Sequence, residues 1–515
     1  MEEFTMDNQT VSKPGFARVV MLAAFLLALV HQYLFYGKMP GISYPIFVVL
    51  FYAFMFYFGK EKLRKHNWFS YMWMGSVFLL SLTYALFGNW FFFGLNFLVI
   101  PAVILLHMTY MLSYRLPSWG GFGLIGAALE HFFPQSLRHW NTAVKLLRRS
   151  QGGVSNARKQ VLIRIVIGLL ISVPLLLIVT SLLSTADGVF NRLLSELPGY
   201  FDNISFGEWI SRALWIILLG LGMFGFVWGF IDSKSYIRTY PPSGLDTLTE
   251  QDVNEPEEES IGVDDPIIIT TVLAVINAVY MLFVSVQFSY LFGAWEGILP
   301  DGKTYADYAR SGFFELILVT AINFAILLLS LLAVRKAGGG LKRVIQILLY
   351  ILVLCSMVML YSAYARLTLY EEAYGYTYIR FLVHAFMIFL GLLLVLAAVR
   401  ISRAEFPLLK CYIVLGLLSY VLMNYIGMDH IIARQNIQRY AASGTLDANY
   451  LAGLSADVVP ELIEFSKQEK GILDEALRSR LSDRSEPLKS WPSFNLAKFQ
   501  ERRELEQYFE KGVAH

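Results

Sequence analysis

Charge is scarce in this chain of 515 residues. Only 16% are Asp, Glu, Lys or Arg, whereas a soluble domain carries about a quarter. That scarcity excludes an ordinary water-soluble enzyme and a disordered chain. A basic surplus is lacking as well. Lys+Arg number 42 against 40 Asp+Glu, a net charge of +2, so no nucleic acid is expected as a partner. Cysteine is nearly absent. The 2 present, Cys355 and Cys411, lie in apolar runs, which excludes a disulfide framework and a cysteine-rich zinc module. His31, His107 and His384 fall in separate apolar segments, without HxxxH or HExxH spacing, and no GxSxG occurs. No metal, cofactor or catalytic residue is therefore assigned.

Apolar length is what the chain has in excess. Hydrophobic residues make up 56% and the mean hydropathy is +0.53. A helix of about 20 mostly apolar residues crosses a bilayer. Eleven segments reach or approach that length: Ala17–Tyr36, Gly41–Phe58, Trp68–Phe87, Trp90–Tyr114, Val161–Ser184, Gly207–Ile231, Pro266–Phe292, Gly312–Val334, Val344–Leu369, Tyr378–Val399 and Leu408–Ile426. They are hydrophobic all round rather than alternating, which predicts helices and not a barrel. The first is too long for a signal peptide, lacks a small-residue cleavage site, and is expected to persist as an anchor. The expected fold is all-α: a polytopic membrane protein of about eleven transmembrane helices, with the lipid bilayer as its partner, and a small helical extracytoplasmic C-terminal region.

Lys and Arg in the connecting loops set the orientation. With residues 1–16 cytoplasmic, the loops on that side hold 21 basic residues, and the short loops opposite hold 4: Lys38, Arg192, Lys303 and Arg310. The N-terminus is thus expected in the cytoplasm and the C-terminus outside.

Residues 17–231 read as a first membrane half of about six spans, with a basic cytoplasmic loop at 115–160. Residues 232–265 read as an acidic disordered linker with nine acids between Asp246 and Asp265, and 266–427 as a second half of about five spans. No repeat relates the halves, so an inverted-repeat transporter is not supported. In the basic loop, Ser136–Ser150 mixes Trp140, Val144, Leu146 and Leu147 with Arg138, Lys145, Arg148 and Arg149. An amphipathic helix on the inner leaflet fits this pattern, but a positive flank without lipid selectivity is the preferred reading. The tail, 428–515, carries 12 basic and 14 acidic residues from Asp429 onward, and helices are expected near Asp429–Ala442, Gly471–Leu481 and Asn495–Phe509. Its apolar content is thin for an independent core, so it should pack on the spans.

Polar residues inside apolar spans are functional candidates. Asn277, Tyr280 and Gln287 share one helix face and Asn323 lies in the adjacent span, giving a polar stripe. For each Asn taken singly, interhelical hydrogen bonding is preferred over a cavity lining. A larger cluster collects on the outer side of the second half: Arg310, Glu315, Arg366, Glu371, Glu372, Arg380, Asp429, Arg434 and Arg439, with Tyr370 and Tyr374 among many aromatics. Arg380 and His384 are four apart and share a face. An aromatic belt explains tyrosines but not charges of both signs. The cluster reads as an outward-facing vestibule covered by the tail, with a structural ion network as the open alternative. Because Arg donates two bonds at once, an anionic lipid headgroup or lipid-linked phosphate is a candidate ligand.

The motifs TADGVFNRLL (Thr185–Leu194), TYADYARSGFFEL (Thr304–Leu316), ARLTLYEEAYGYTYIR (Ala365–Arg380), DHIIARQNIQRY (Asp429–Tyr440), LDANYLAGLSADVVPEL (Leu446–Leu462) and WPSFNLAKF (Trp491–Phe499) occur in this order. In them the chain resembles the multi-pass bacterial membrane proteins grouped as domain of unknown function 4173, relatives of group 4153. The similarity runs from about the fourth span to the C-terminus. The resemblance implies a bacterial plasma-membrane protein and adds Asn436 to the vestibule residues. It implies no activity. Where relatives often carry Tyr-Asn after Ile-Ala-Arg, this chain has Gln435-Asn436.

Three functions are compared. Transport or handling of an anionic lipid or lipid-linked solute accounts for the stripe, the vestibule and the exported cap. A receptor or regulatory scaffold would need a cytoplasmic protein partner for its output, since no kinase or nucleotide-binding motif is present. A headgroup-modifying enzyme would use Glu315, Glu371, Glu372 or Asp429 as base. Iron-dependent carotenoid cleavage, a name given to some relatives of this type, would need clustered histidines that the chain lacks. The first function is preferred.

Overall fold

The computed structural model of the chain describes residues 14–113, 123–149, 206–232, 265–295, 313–483 and 490–512, with the single positions 168, 172, 176 and 179. All regular structure among these residues is helical. In chain order, α1 spans Pro14–Phe35, α2 Ser43–Phe58, α3 Trp68–Leu86, α4 Trp90–Leu112, α5 Gly123–Glu130, α6 Ser136–Arg149 and α7 Phe206–Ile231. Then come α8 Pro266–Trp295, α9 Phe313–Lys336, α10 Gly339–Tyr374, α11 Tyr378–Ser402 and α12 Leu408–Tyr425. The tail adds α13 Met428–Ser443, α14 Ala448–Ala452, α15 Val459–Gln468, α16 Asp474–Asp483 and α17 Leu496–Gly512.

The protein is an all-α polytopic membrane protein. Among the described residues, 8 helices are long and apolar enough to cross a bilayer: α1, α3, α4, α7, α8, α10, α11 and α12. Two further expected spans appear as shorter apolar helices, Ser43–Phe58 and Leu318–Leu331, the latter within α9. The expected span Val161–Ser184 lies outside the described residues apart from four positions. Residues 185–205 and 233–264 lie outside them too.

The chain divides into two compact units. The first comprises Met1–Met39, Val49–Arg64 and Leu129–Tyr236. In it α1 lies along α7, with Phe16 and Trp228 rings 6.3 Å apart and Trp215 Nε1 donating to His31 Nδ1 at 3.2 Å. A short π-helix, His131–Gln135, leads into α6, and the His131 ring stacks on Phe230 at 4.3 Å.

The second unit comprises Pro40–Val48, Lys65–Ala128 and Ile237–His515. Two asparagines start its first long helices. The Asn67 side chain accepts from Ser70 N at 2.9 Å at the head of α3, and Asn89 accepts from Phe92 N at 3.0 Å at the head of α4. Each satisfies one of the donors a helix leaves open at its N-terminus. Leu273 of α8, Leu327 of α9, Leu349 and Leu352 of α10 and Leu394 of α11 form one buried apolar core. A second core belongs to the tail. Ile432, Leu451, Val458, Val459, Leu462 and Leu477 build it, but Phe92 of α4 is buried in it and Phe381 and Leu382 of α11 pack against it. Tyr420 and Met423 of α12 pack against it as well, so the tail completes its thin core with the ends of three spans. Pro460 sits in the first turn of α15, and Gly444 closes α13 at φ 69°, where no Cβ strain arises.

Candidate functional site

The site is built around the end of α10. That helix is 36 residues long and stops at Gly375, whose φ of 85° turns the chain and whose N–H returns to Glu371 O at 2.8 Å. A Cβ at Gly375 would meet Asn436 Oδ1 at 2.8 Å, so the close approach of α13 also requires glycine here. Asn436 grips the next residue in both directions: Tyr376 N–H donates to its Oδ1 at 3.0 Å, and its Nδ2 donates to Tyr376 O at 2.9 Å. Arg439, one turn further along α13, donates from Nε to Glu372 O at 3.2 Å and from Nη2 to Ala373 O at 3.0 Å. These are carbonyls that the end of α10 leaves without helical partners. Arg380 donates to Gly375 O and lies over the Tyr370 ring at 4.1 Å.

Beside this turn sits a buried acid–base pair. Glu371 opens the last turn of α10 and is 3% exposed. Its Oε2 meets His384 Nδ1, on α11, at 3.0 Å. Its Oε1 is buried with no hydrogen-bond partner among the described residues. His384 Nε2 points to Thr368 Oγ1 and Tyr364 O, both at 3.5 Å, and its ring tilts against Tyr364 at 4.4 Å. Tyr376 responds to the same charge: burial, then Glu371 and Glu372, hold its hydroxyl above the usual range. Charge places Glu371 in the outer cluster of the sequence, and the face shared by Arg380 and His384 adds the histidine. No local pattern marks the contact between Glu371 and His384, because the partners lie on different helices across a turn.

A second carboxylate node lies at the base of α13. Asp429 is buried and accepts from Asn89 Nδ2 at 2.5 Å, from Ser455 N at 3.0 Å and from the Tyr378 hydroxyl. Burial nonetheless outweighs these donors and holds its carboxyl above the ordinary range, with Asp457 adding to the shift. Asp457 itself accepts from Gly88 N at 2.8 Å. Asn495 donates to Tyr84 O at 2.9 Å and Phe87 O at 2.8 Å, capping the end of α3. Gly88, Asn89, Asp457 and Asn495 are small turn residues to which the sequence attached no role.

The remaining expected residues are placed as follows. Arg366 is half-buried on α10, Tyr374 is exposed near its end, and Arg434 is exposed on α13. Arg310 and the side chains of Glu315 and Gln287 lie outside the described residues. In the polar stripe, the Tyr280 hydroxyl donates to Asn323 Oδ1 at 2.6 Å, Asn323 Nδ2 to Ser356 Oγ at 2.9 Å, and Asn277 Nδ2 to Leu348 O at 2.8 Å. These bonds join α8, α9 and α10. Among the described residues no group of three or more His, Cys, Asp or Glu is placed to hold a metal.

Comparison with known proteins gives a family and no activity. The family described as "Domain of unknown function (DUF4153)" matches residues 74–465. The match begins in α3, earlier than the motif resemblance, and ends in α15, before Trp491–Phe499. It falls on group 4153 rather than on its relative 4173. No curated protein and no solved structure matches the chain.

Proposed function

We propose that this chain, which belongs to the family described as domain of unknown function 4153, is an integral membrane protein of the bacterial envelope that binds and handles a phosphate-bearing lipid or lipid-linked solute beside Glu371 and His384. The orientation that follows from the loop charges puts this region on the extracytoplasmic side. The observation that carries the reading is the buried Glu371 carboxylate with one oxygen unpartnered among the described residues. Burying a charge costs several kcal/mol unless every lone pair is met. A carboxylate left half-satisfied between two spans is therefore poorly explained by stability and well explained by a ligand hydroxyl that donates to it.

Depth supports a headgroup rather than an acyl chain. At 1.5 Å per residue, the 36 residues of α10 measure about 54 Å, against a hydrocarbon core of about 30 Å. With Lys342 and Arg343 at one boundary, Glu371 lies at or beyond the other. Arg380 on its tyrosine and the half-buried Arg366 supply positive charge for a phosphate, and the open Glu371 oxygen accepts from a hydroxyl of the same headgroup.

A scaffold reading draws on a different observation. Arg439 and Asn436 already spend donors on the backbone of Glu372, Ala373 and Tyr376, as structural residues do. The two readings separate on one experiment. The purified protein and Glu371→Gln are analysed by native mass spectrometry, and the bound small molecules are released and identified. A defined phosphate-bearing lipid or lipid-linked solute, retained by the wild type and lost or weakened in the variant, supports handling. Bulk lipid alone, the same in both, sinks it and leaves the scaffold.

A further inference from the structure

We propose that α6 is a binding surface for anionic phospholipid headgroups, separate from the Glu371 site and independent of its function. The argument starts from how α6 is held. Ser136 Oγ donates to Gly222 O at 3.3 Å, a Cβ on Gly225 would run into Ser136 O, and one on Gly229 would touch Gln135 Cβ at 3.4 Å. Glycines on α7 let α6 lie close against the last ten or so residues of a membrane-crossing helix. His139, Ala143 and Leu146 are buried on that side. The contact fixes which face of α6 turns away from α7.

That outward face is organised. Leu137 and Val144 are exposed, seven residues apart, and Phe132 and Phe133 extend the apolar surface through the π-helix at 50% and 55% exposure. Arg138 and Lys145, also seven apart and exposed, run as a parallel ridge one residue round the helix. The sequence of α6, SLRHWNTAVKLLRR, contains four Lys or Arg and no acid. An apolar ridge beside a basic one, on a helix packed against the end of a membrane span, matches a bilayer surface. Acyl chains meet the leucine and phenylalanine side, and phosphates meet the arginine and lysine side. The commitment is to anionic lipid, because four basic residues and no acid on α6 complement a negative headgroup and not a neutral one.

The test uses the full chain in detergent, titrated with a phosphatidylglycerol or with a phosphatidylcholine of the same acyl chains, and read by native mass spectrometry. The wild type is expected to retain phosphatidylglycerol at least tenfold more tightly than phosphatidylcholine. Arg138→Gln with Lys145→Gln should weaken phosphatidylglycerol about tenfold and leave phosphatidylcholine unchanged. Lys342→Gln with Arg343→Gln, an equal loss of charge elsewhere, should change neither. Asn141→Lys, which adds a cation to the exposed face between Arg138 and Lys145, should tighten phosphatidylglycerol, a gain that misfolding cannot produce. Equal losses in the two double variants would overturn the proposal, as would no lipid preference in the wild type, no gain with Asn141→Lys, or a second copy of the chain held by α6 in place of lipid.

Discussion

Asn89 and Asp429 lie 340 positions apart, yet one side chain of Asn89 caps α4 with its oxygen and donates to Asp429 with its nitrogen at 2.5 Å. The start of one span is thereby tied to the start of the tail through a single amide.

Asp429 makes that tie pH-dependent. Burial raises its carboxyl above the ordinary 3.8, so the folded chain holds its proton more tightly than the unfolded chain. Its contribution to stability is complete below 3.8 and is lost as pH rises through the raised value. Asp429→Asn keeps an acceptor oxygen but cannot titrate. The stability difference between wild type and variant, measured by urea unfolding with tryptophan fluorescence, should therefore shift in favour of the wild type as the medium is acidified. A difference independent of pH would show that the carboxyl is not perturbed.

Gly375→Ala should destabilise by about 1–3 kcal/mol, since the residue adopts φ 85° and its new Cβ would press on Asn436 Oδ1. Gly340→Ala has no neighbour within 4 Å and lies in the first turn of α10, where alanine is a better helix former, so it should be neutral or stabilising. Thermal unfolding of the two variants in the same detergent compares them directly.

Arg480 and Glu501 form a buried ion pair, and Arg480 also donates to Leu454 O at 2.6 Å. Glu501→Gln or Arg480→Met alone should cost about 3–5 kcal/mol, because each strands a buried charge. The double variant Arg480→Met with Glu501→Leu should recover part of that loss, the remainder being the uncapped carbonyls. A double-mutant cycle with strictly additive losses would contradict a direct pair.

Among the described residues, Asn323 both accepts from Tyr280 and donates to Ser356, joining three helices, whereas Asn277 makes one bond, to Leu348 O. Asn323→Leu should therefore cost about 2 kcal/mol and Asn277→Leu about half that, at roughly 1 kcal/mol per interhelical contact. Unfolding in mixed micelles gives the ranking, and a larger effect at Asn277 would reverse it.

Much of the architecture was legible in apolar length alone. Runs such as Tyr378–Val399 need no context to be read as helices, and Gly444 and Pro460 announced helix limits through backbone chemistry. The tail's dependence on the spans followed from its thin apolar content, and Phe92 with Phe381, Leu382, Tyr420 and Met423 makes up the deficit. The polar junctions were not legible. Asn89, Gly88, Asp457 and Asn495 act across more than three hundred positions, and a small polar residue in a turn looks the same whether it caps its own helix or holds a distant one. Glu371 stood out as a charge, but its partner is chosen by the turn at Gly375, which no periodicity encodes. Arg380 and Arg439 stand out in the sequence by charge. That they also serve the backbone carbonyls of residues 372, 373 and 375 is a demand that appears only once a helix ends next to another.

The grip of α13 on the end of α10 has a practical corollary for dissecting the chain. A version shortened before Met428 would lose more than an accessory. It would strip Asn436 and Arg439 from the turn, leave the carbonyls of Glu372, Ala373 and Tyr376 unattended, and release the backbone that sets Glu371 against His384. Silence from such a truncation would say nothing about whether the tail itself senses or binds. Conversely, a displacement of α13 would move the side chains that hold the backbone next to Glu371.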